Sequence, residues 1–155
     1  RLVSIGKIVN SMEGCACPFG MLGREFLAKL KLSSEDVVLV DMEAGIEHFG
    51  RGVETSVDTV IATVEPSMES ITLASKIRQL SQTTGVNRFA AVLTKINSEI
   101  VESTLKDELK KAGVPVIGAI PYDDMVFEAC LKGQRLSGNK ALEAAAKIAN
   151  AILNL

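Results

Sequence analysis

The sequence has few cysteines and no long apolar run. Two of its three cysteines, Cys15 and Cys17, lie too close together to close a disulfide on themselves, and an odd thiol is left over. A disulfide framework is therefore not expected, and a reducing, cytoplasmic compartment fits best. No apolar run approaches the roughly 20 residues that cross a bilayer. The opening residues RLVSIGKIVN contain no small-residue cleavage site after an apolar core. We therefore expect no membrane association.

The sequence also lacks a block of charge of one sign. Its 17 basic and 19 acidic side chains are interspersed and give a net charge of -2. A nucleic-acid partner or an anionic membrane surface is therefore not expected. With 155 residues and 47% hydrophobic content, the chain is long enough for one sizeable core and too short for two. We expect a single domain over residues 1–155.

Short β-branched runs alternate with longer stretches of helical period. Strands are predicted at Leu2–Val9, Val37–Met42, Thr59–Val64, Phe89–Thr94 and Val116–Ile120. Their centres are continuously apolar, which is typical of a parallel sheet with helices on both faces. Helices are predicted from Pro18 to Leu30, Pro66 to Gln82, Asn97 or Ser98 to Gly113, Asp124 to Leu131 and Asn139 to Leu153. The alternation predicts right-handed βαβ crossovers and an α/β fold with a doubly wound, mainly parallel sheet.

The loop after the second predicted strand has features of a nucleotide site. Ligands of doubly wound sheets bind where the carboxyl ends of the strands meet the following loops. Here Asp41 precedes a glycine turn at Gly45, a pattern that can hold a magnesium-bound water near a γ-phosphate. A second interpretation stays open, in which Asp41 only caps the next element. His48, the only histidine, lies in the same polar loop, where a lone histidine is more often solvated than catalytic.

Two later loops lie at carboxyl ends of strands as well. Thr94 and Lys95 end the fourth predicted strand, and the fifth is followed by a turn of Pro121, Tyr122 and Asp123. Both loops could line the same cleft, although each pattern alone is also typical of an ordinary exposed turn.

The two clustered cysteines occur in the stretch SMEGCACPFGML. In an extended turn, Cys15 and Cys17 can point both sulfurs the same way, and a helix beginning at Pro18 favours their thiolate form. Two thiolates are half of the tetrahedral set that zinc prefers, and the simplest completion is the same motif of a second subunit. These ligands suit zinc or nickel, and the alternative is a pair of merely packed cysteines. The third thiol, Cys130, is expected to be a small buried hydrophobe.

The segments EGCACPFG, VLVDMEAGIEHFGRG, VIATVEPS, VLTKI and IGAIPYD occur in this order over almost the whole chain. This arrangement resembles the CooC-type ATPases, the MinD/ParA-like proteins that assist nickel insertion into carbon monoxide dehydrogenase. DMEAGIEHFGRG is similar to the switch region of that family, and Cys-x-Cys is similar to its metal-binding motif. The resemblance implies ATP or ADP with Mg²⁺, Zn²⁺ or Ni²⁺ held between subunits of a homodimer, and carbon monoxide dehydrogenase as the client.

The resemblance also implies roles for single residues. Asp41 matches the aspartate that reaches magnesium through water and acts in hydrolysis. The loop from Glu43 to Arg51, which contains Gly45, matches the segment that responds to the γ-phosphate. The matches at the base-binding position, where relatives usually carry Asn-Lys, and in the turn over the adenine are Thr94, Lys95, Pro121, Tyr122 and Asp123.

The phosphate loop of the CooC-type family has no counterpart in these residues. The family opens with a phosphate loop rich in glycine and carrying two lysines. The segment Gly45–Gly52 has similar glycine spacing but ends in Arg-Gly, so it is not such a loop. The chain as given is therefore expected to hydrolyse ATP poorly. Three classes of function stay open: a metallochaperone ATPase or its nucleotide-switch body, a metal-bridged dimer module without ATP binding, and a doubly wound phosphoryl-regulated domain.

Overall fold

The computed structural model describes residues 1–6, 17–42, 45–86, 88–137 and 140–153. Strands and helices alternate along the chain from Thr59 to Lys132, as the sequence predicts. The elements are α1 (Cys17–Lys29), two short 3₁₀ helices (Phe49–Arg51 and Val53–Ser56), β1 (Thr59–Val64), α2 (Met68–Thr83), β2 (Arg88–Ile96), α3 (Glu99–Lys111), β3 (Val116–Pro121), α4 (Asp124–Lys132) and α5 (Lys140–Leu153).

The three strands form one parallel sheet in the order β1-β2-β3. Helix α2 connects β1 to β2 and helix α3 connects β2 to β3, so each connection is a βαβ crossover. Because the strands are parallel, their carboxyl ends lie at the same edge of the sheet. The α/β class with a parallel sheet is confirmed.

Helices cover both faces of this sheet. One face packs against α2 and α3 around Ala91 and Leu93 of β2. Side chains alternate along a strand, so Val92 between them points to the opposite face. Gly118 of β3 pairs with Val92 and lies against Ile148 of α5, which places α5 on that face.

The helices begin at the residues that cap them. Ser67 and Ser98 precede α2 and α3, and each side chain accepts a hydrogen bond from the backbone N–H three residues on. Asp123 precedes α4 and does the same for the N–H of Met125. Such caps satisfy the free N–H groups of a first turn. Of the three, Ser98 is one of the two caps predicted from the sequence, whereas Ser67 and Asp123 were not predicted as caps.

Two of the five predicted strands are not strands in the residues that the structure describes. Residues 1–6 and 37–42 form no ladder, and residues 7–9 of the first prediction lie outside the described residues. Leu39 is 93% exposed and Val37 is 72% exposed. An apolar β-branched run becomes a strand only when a neighbouring strand pairs with its backbone, and none of the described strands does so here.

The prediction for Cys130 is also wrong, because this residue of α4 is exposed. Helix α4 has no buried residue and keeps Phe127 and Leu131 at the surface. None of the helices in the described part of the chain is long and apolar enough to span a membrane.

Candidate functional site at the carboxyl edge of the sheet

The ends of the three strands are joined to one another by hydrogen bonds. The hydroxyl of Thr94 donates to the carbonyl oxygen of Val64 at 3.5 Å, linking the ends of β2 and β1. The backbone N–H of Tyr122 donates to the carbonyl oxygen of Ile96 at 2.8 Å, linking the ends of β3 and β2. Thr94 near the end of β2 and Tyr122 directly after β3 therefore lie at the same edge of the sheet, although their contact with a nucleotide stays a prediction.

Lys95 occupies an unusual backbone conformation at this edge. Its φ is +57°, in the left-handed region, and it is the one described residue other than glycine with a positive φ. Its ammonium group lies 2.6 Å from Oε1 of Glu65, which directly follows β1. A left-handed residue that is not glycine costs about 1–2 kcal/mol. Such strain is concentrated at functional sites, which favours a role for Lys95 in binding.

Asp123 uses both carboxylate oxygens in hydrogen bonds with the backbone. Oδ1 accepts from the N–H of Met125 at 2.9 Å, and Oδ2 accepts from the N–H of Ala141 in α5 at 3.2 Å. Beside it, the ring of Tyr122 lies 6.5 Å from that of Phe127 and is partly exposed. Pro121 ends β3 directly before this turn. The exposed ring, and not the engaged carboxylate, is therefore the group that is available to a planar ligand.

Asp41 lies in the segment 37–42, which forms no helix or strand and precedes the polar loop. Its side chain is exposed, and its carboxylate is of the type that binds magnesium or a magnesium-bound water. The segment follows a turn in which the N–H and then the hydroxyl of Ser33 donate to Asp36 and lower the pKa of that carboxyl. Glu43 lies outside the described residues, and Gly45 has a φ of +113°, which glycine tolerates best.

His48 is more buried than expected for a solvated histidine. Its side chain is 16% exposed, and its Nδ1 is hydrogen-bonded to Oε1 of Glu54, whose side chain is 5% exposed. The His48 ring also lies 4.8 Å from that of Phe49. The other carboxylate oxygen of Glu54 is buried without a hydrogen-bond partner in the described structure. The expectation of a solvated His48 is therefore wrong.

The cysteine motif lies largely outside the described residues. Cys15 is not among them, and Cys17 is described only as the first residue of α1. The described side chains contain no group of three His, Cys, Asp or Glu that could hold a metal ion. By donor chemistry, two cysteines fit Zn²⁺ or Ni²⁺ as half of a ligand set.

Two charged residues of this region were not predicted from the sequence. Glu65 follows β1 in the segment VEPS, and the rule that directs attention to the carboxyl ends of strands could have identified it. Glu54 had no such signal, because a glutamate in a polar loop is ordinarily solvated.

Several known proteins are similar in sequence to this chain. An uncharacterized ATP-binding protein of Methanocaldococcus jannaschii is 43% identical over 141 residues, which are 88% of this chain and 53% of that protein. The carbon monoxide dehydrogenase accessory protein CooC of Rhodospirillum rubrum is 31% identical over 126 residues, which are 81% of this chain and 47% of that protein. No family model matches the chain.

The fold is also found in a solved structure. The septum site-determining protein MinD of Pyrococcus horikoshii, complexed with Mg-ADP, superposes with a TM-score of 0.69 at 20% identity. The match covers 86% of this chain and 56% of that one. The chain is thus related to MinD/ParA-like ATP-binding proteins and shares their α/β fold. It spans about half the length of the relatives that it matches.

Proposed function

We propose that this chain is the nucleotide-switch body of a metallochaperone that assists nickel insertion into carbon monoxide dehydrogenase. The observation that carries the proposal is the convergence of the ends of β1, β2 and β3 in a chain related to CooC. In this proposal, nucleotide state controls the loop after Asp41, and the cysteines carry the metal. The ATPase activity belongs to the protein that also supplies a phosphate loop.

Nucleotide binding is assigned to the carboxyl edge of the sheet. Thr94 and Lys95 contact the base, and the turn from Pro121 to Asp123 covers it. Asp41 holds Mg²⁺ through water and supports hydrolysis, and the loop that contains Glu43 and Gly45 responds to the γ-phosphate. The ATP-binding relatives and the Mg-ADP complex of MinD support ATP or ADP with Mg²⁺ as the ligand.

Metal binding is assigned to Cys15 and Cys17, with Zn²⁺ or Ni²⁺ as the ion. Two thiolates supply two of the four ligands of a tetrahedral or square-planar metal site. A second copy of the motif supplies the other two in a two-fold homodimer. Similarity to CooC over most of the chain supports carbon monoxide dehydrogenase as the client.

The metal assignment is tested by replacing Cys15 and Cys17 with Ser and measuring metal content and native mass together. The double variant should lose the metal and the metal-dependent dimer. Cys130→Ser is the matched control, because this exposed thiol on α4 has no part in the proposed site. A double variant that keeps one metal per dimer, or a metal-loaded monomer of the parent protein, would contradict the bridging site.

The nucleotide assignment is tested by calorimetric titration with Mg-ATP and Mg-ADP. For these 155 residues alone we expect a dissociation constant weaker than about 1 mM, because base and magnesium contacts remain without a phosphate cradle. In a version of the protein that also carries a phosphate loop, Lys95→Ala should weaken binding. Lys106→Ala, which removes a lysine paired at 2.6 Å with Glu102 on α3, should not. Equal effects of the two substitutions would exclude Lys95 from the site.

A further inference from the structure

Strand β3 has a free edge in the sheet that the structure describes. The strand order is β1-β2-β3, so β2 pairs with one edge of β3 and no described strand pairs with the other. All residues from Val116 to Pro121 are partly exposed. The N–H and C=O groups along such an edge can pair with a further strand from another protein. The side chains beside the edge then decide which segment is accepted.

A surface crevice of about 290 Å³ lies between this strand and helix α5. Its strand side is Ile117–Ala119, and no residue of β2 lines it, so it opens on the unpaired side of β3. Its helix side carries the charged side chains of Lys140, Glu143 and Lys147, which are all exposed. A strand added to β3 would therefore lie along these three side chains.

The charged side chains of the crevice have no ion pairs within the described part of the chain. Lys140 lies three residues before Glu143 and Lys147 lies four residues after it, and residues at these spacings are neighbours on a helix. On α1, α3 and α4, four lysines pair with a glutamate at such a spacing, at distances between 2.6 and 3.3 Å. Neither lysine of the crevice pairs in this way. The alternating charges along α5 are therefore available to another molecule.

The spacing of these charges fits an extended segment. Lys140 and Lys147 are separated by about 10 Å along the helix axis. In a strand every second side chain lies on the same face, and side chains four positions apart are separated by about 13 Å. The flexible four-carbon stems of the lysines span the difference. Two acidic residues four positions apart can therefore reach the two lysines, and a basic residue midway between them can reach Glu143.

We propose that the free edge of β3 binds an extended segment of another protein that has the pattern acidic-x-basic-x-acidic, where x is any residue. Backbone hydrogen bonds to β3 hold the segment, and the charges of α5 select it. The pattern is the same in both directions, so it fits a parallel or an antiparallel added strand. The 155 residues of this chain do not contain the pattern, so a second copy does not supply the segment. This binding is independent of metal and of nucleotide.

The test is the fluorescence anisotropy of two labelled peptides titrated with the purified protein. Thr-Glu-Thr-Lys-Thr-Glu-Thr has the proposed pattern, and Thr-Lys-Thr-Glu-Thr-Glu-Thr has the same composition in another order. The first peptide should bind at least about tenfold more tightly, because the second places like charges opposite two of the three charges of α5. Equal binding of the two peptides, or binding of neither, would overturn the proposal.

An exchange of charges on α5 should reverse the preference. The triple variant Lys140→Glu, Glu143→Lys and Lys147→Glu changes only exposed side chains. It should bind Thr-Lys-Thr-Glu-Thr-Lys-Thr and lose the Glu-Lys-Glu peptide. The matched control is the double variant Glu102→Lys and Lys106→Glu, which exchanges a pair on α3 and should bind as the parent does. A triple variant with the parent's preference would contradict selection by α5.

A second measurement uses the unaltered protein, so it does not depend on how well the variants fold. An excess of the Glu-Lys-Glu peptide should slow hydrogen exchange of backbone N–H groups in Ile117–Ala119, because an added strand accepts hydrogen bonds from them. Slower exchange in α5 alone would mean that the peptide lies on the helix, and binding at the edge of β3 would be wrong.

Discussion

Oδ2 of Asp123 accepts a hydrogen bond from the backbone N–H of Ala141, across 18 residues of sequence. The same carboxylate caps α4 through Met125, so one side chain satisfies N–H groups at the starts of two helices. Because α5 packs on β3, Asp123 connects the end of that strand to the helix that covers it. Its position in the proposed adenine turn therefore has a structural reason independent of nucleotide.

Replacement of Asp123 should lower the free energy of unfolding by an amount that depends on how many of its two hydrogen bonds the new side chain keeps. Asp123→Ala removes both caps and should lower the free energy of unfolding by about 1–3 kcal/mol. Asp123→Asn keeps one acceptor oxygen and should lose about half as much. Urea unfolding measures both, with Asp107→Asn on the exposed face of α3 as the control. Equal losses for Ala and Asn would show that the acceptor oxygen that Asn keeps contributes nothing, and an unchanged stability of the Asn variant would show that the bond it loses contributes nothing.

Two substitutions of Lys95 should distinguish the free-energy cost of its left-handed backbone from the contribution of its ion pair with Glu65. Lys95→Gly and Lys95→Ala both lose the pair with Glu65, which is worth about 0.2–1 kcal/mol at the surface. Only glycine relieves the left-handed conformation, so Lys95→Gly should be more stable than Lys95→Ala by about 1 kcal/mol. Chemical unfolding measures the difference, and Glu65→Gln controls for the pair. A more stable alanine variant would mean that the backbone is not strained.

The contact between β3 and α5 depends on the absence of a side chain at Gly118. A Cβ there would lie 2.5 Å from Cγ1 of Ile148, which is buried. Gly118→Ala should lower the free energy of unfolding by about 1–3 kcal/mol. Gly23→Ala in α1 is the control, since nothing lies within 4 Å of a Cβ there, and it should be neutral or stabilising.

A double-mutant cycle tests whether Ile148 is the cause. Ile148→Ala is itself destabilising, but it makes room for the new methyl group. The loss in the combined variant should therefore be smaller than the sum of the two single losses. Additive losses would place the strain of Gly118→Ala elsewhere.

The exposed segment 37–42 and the edge strand β1 should promote self-association. Apolar residues such as Leu39 and the unpaired backbone of an edge strand favour contacts with another chain. Leu39→Glu should lower the apparent mass of concentrated protein in size-exclusion chromatography with light scattering. Ile100→Glu, at an exposed apolar residue on α3, should have no such effect. A monomeric parent protein at every concentration would contradict the prediction.

The sequence was sufficient to place the helices and the three paired strands. Ser98 marks the start of α3 because a cap acts within one turn of the chain. The apolar run of β2 predicts a covered strand because its own composition requires burial on both faces. The same reasoning failed for 37–42, whose composition is equally apolar, because pairing depends on a neighbour that the run itself does not specify.

Some features of the candidate site could likewise be predicted from the sequence and others could not. The position of Thr94 and Lys95 at the carboxyl edge follows from strand order in a parallel sheet, so the sequence could predict it. The left-handed backbone of Lys95, the burial of Glu54 beside His48 and the second hydrogen bond of Asp123 could not be predicted. Each depends on where other elements pack. Local sequence sets the period and the caps of an element, but burial and long-range hydrogen bonds exist only once the elements have assembled.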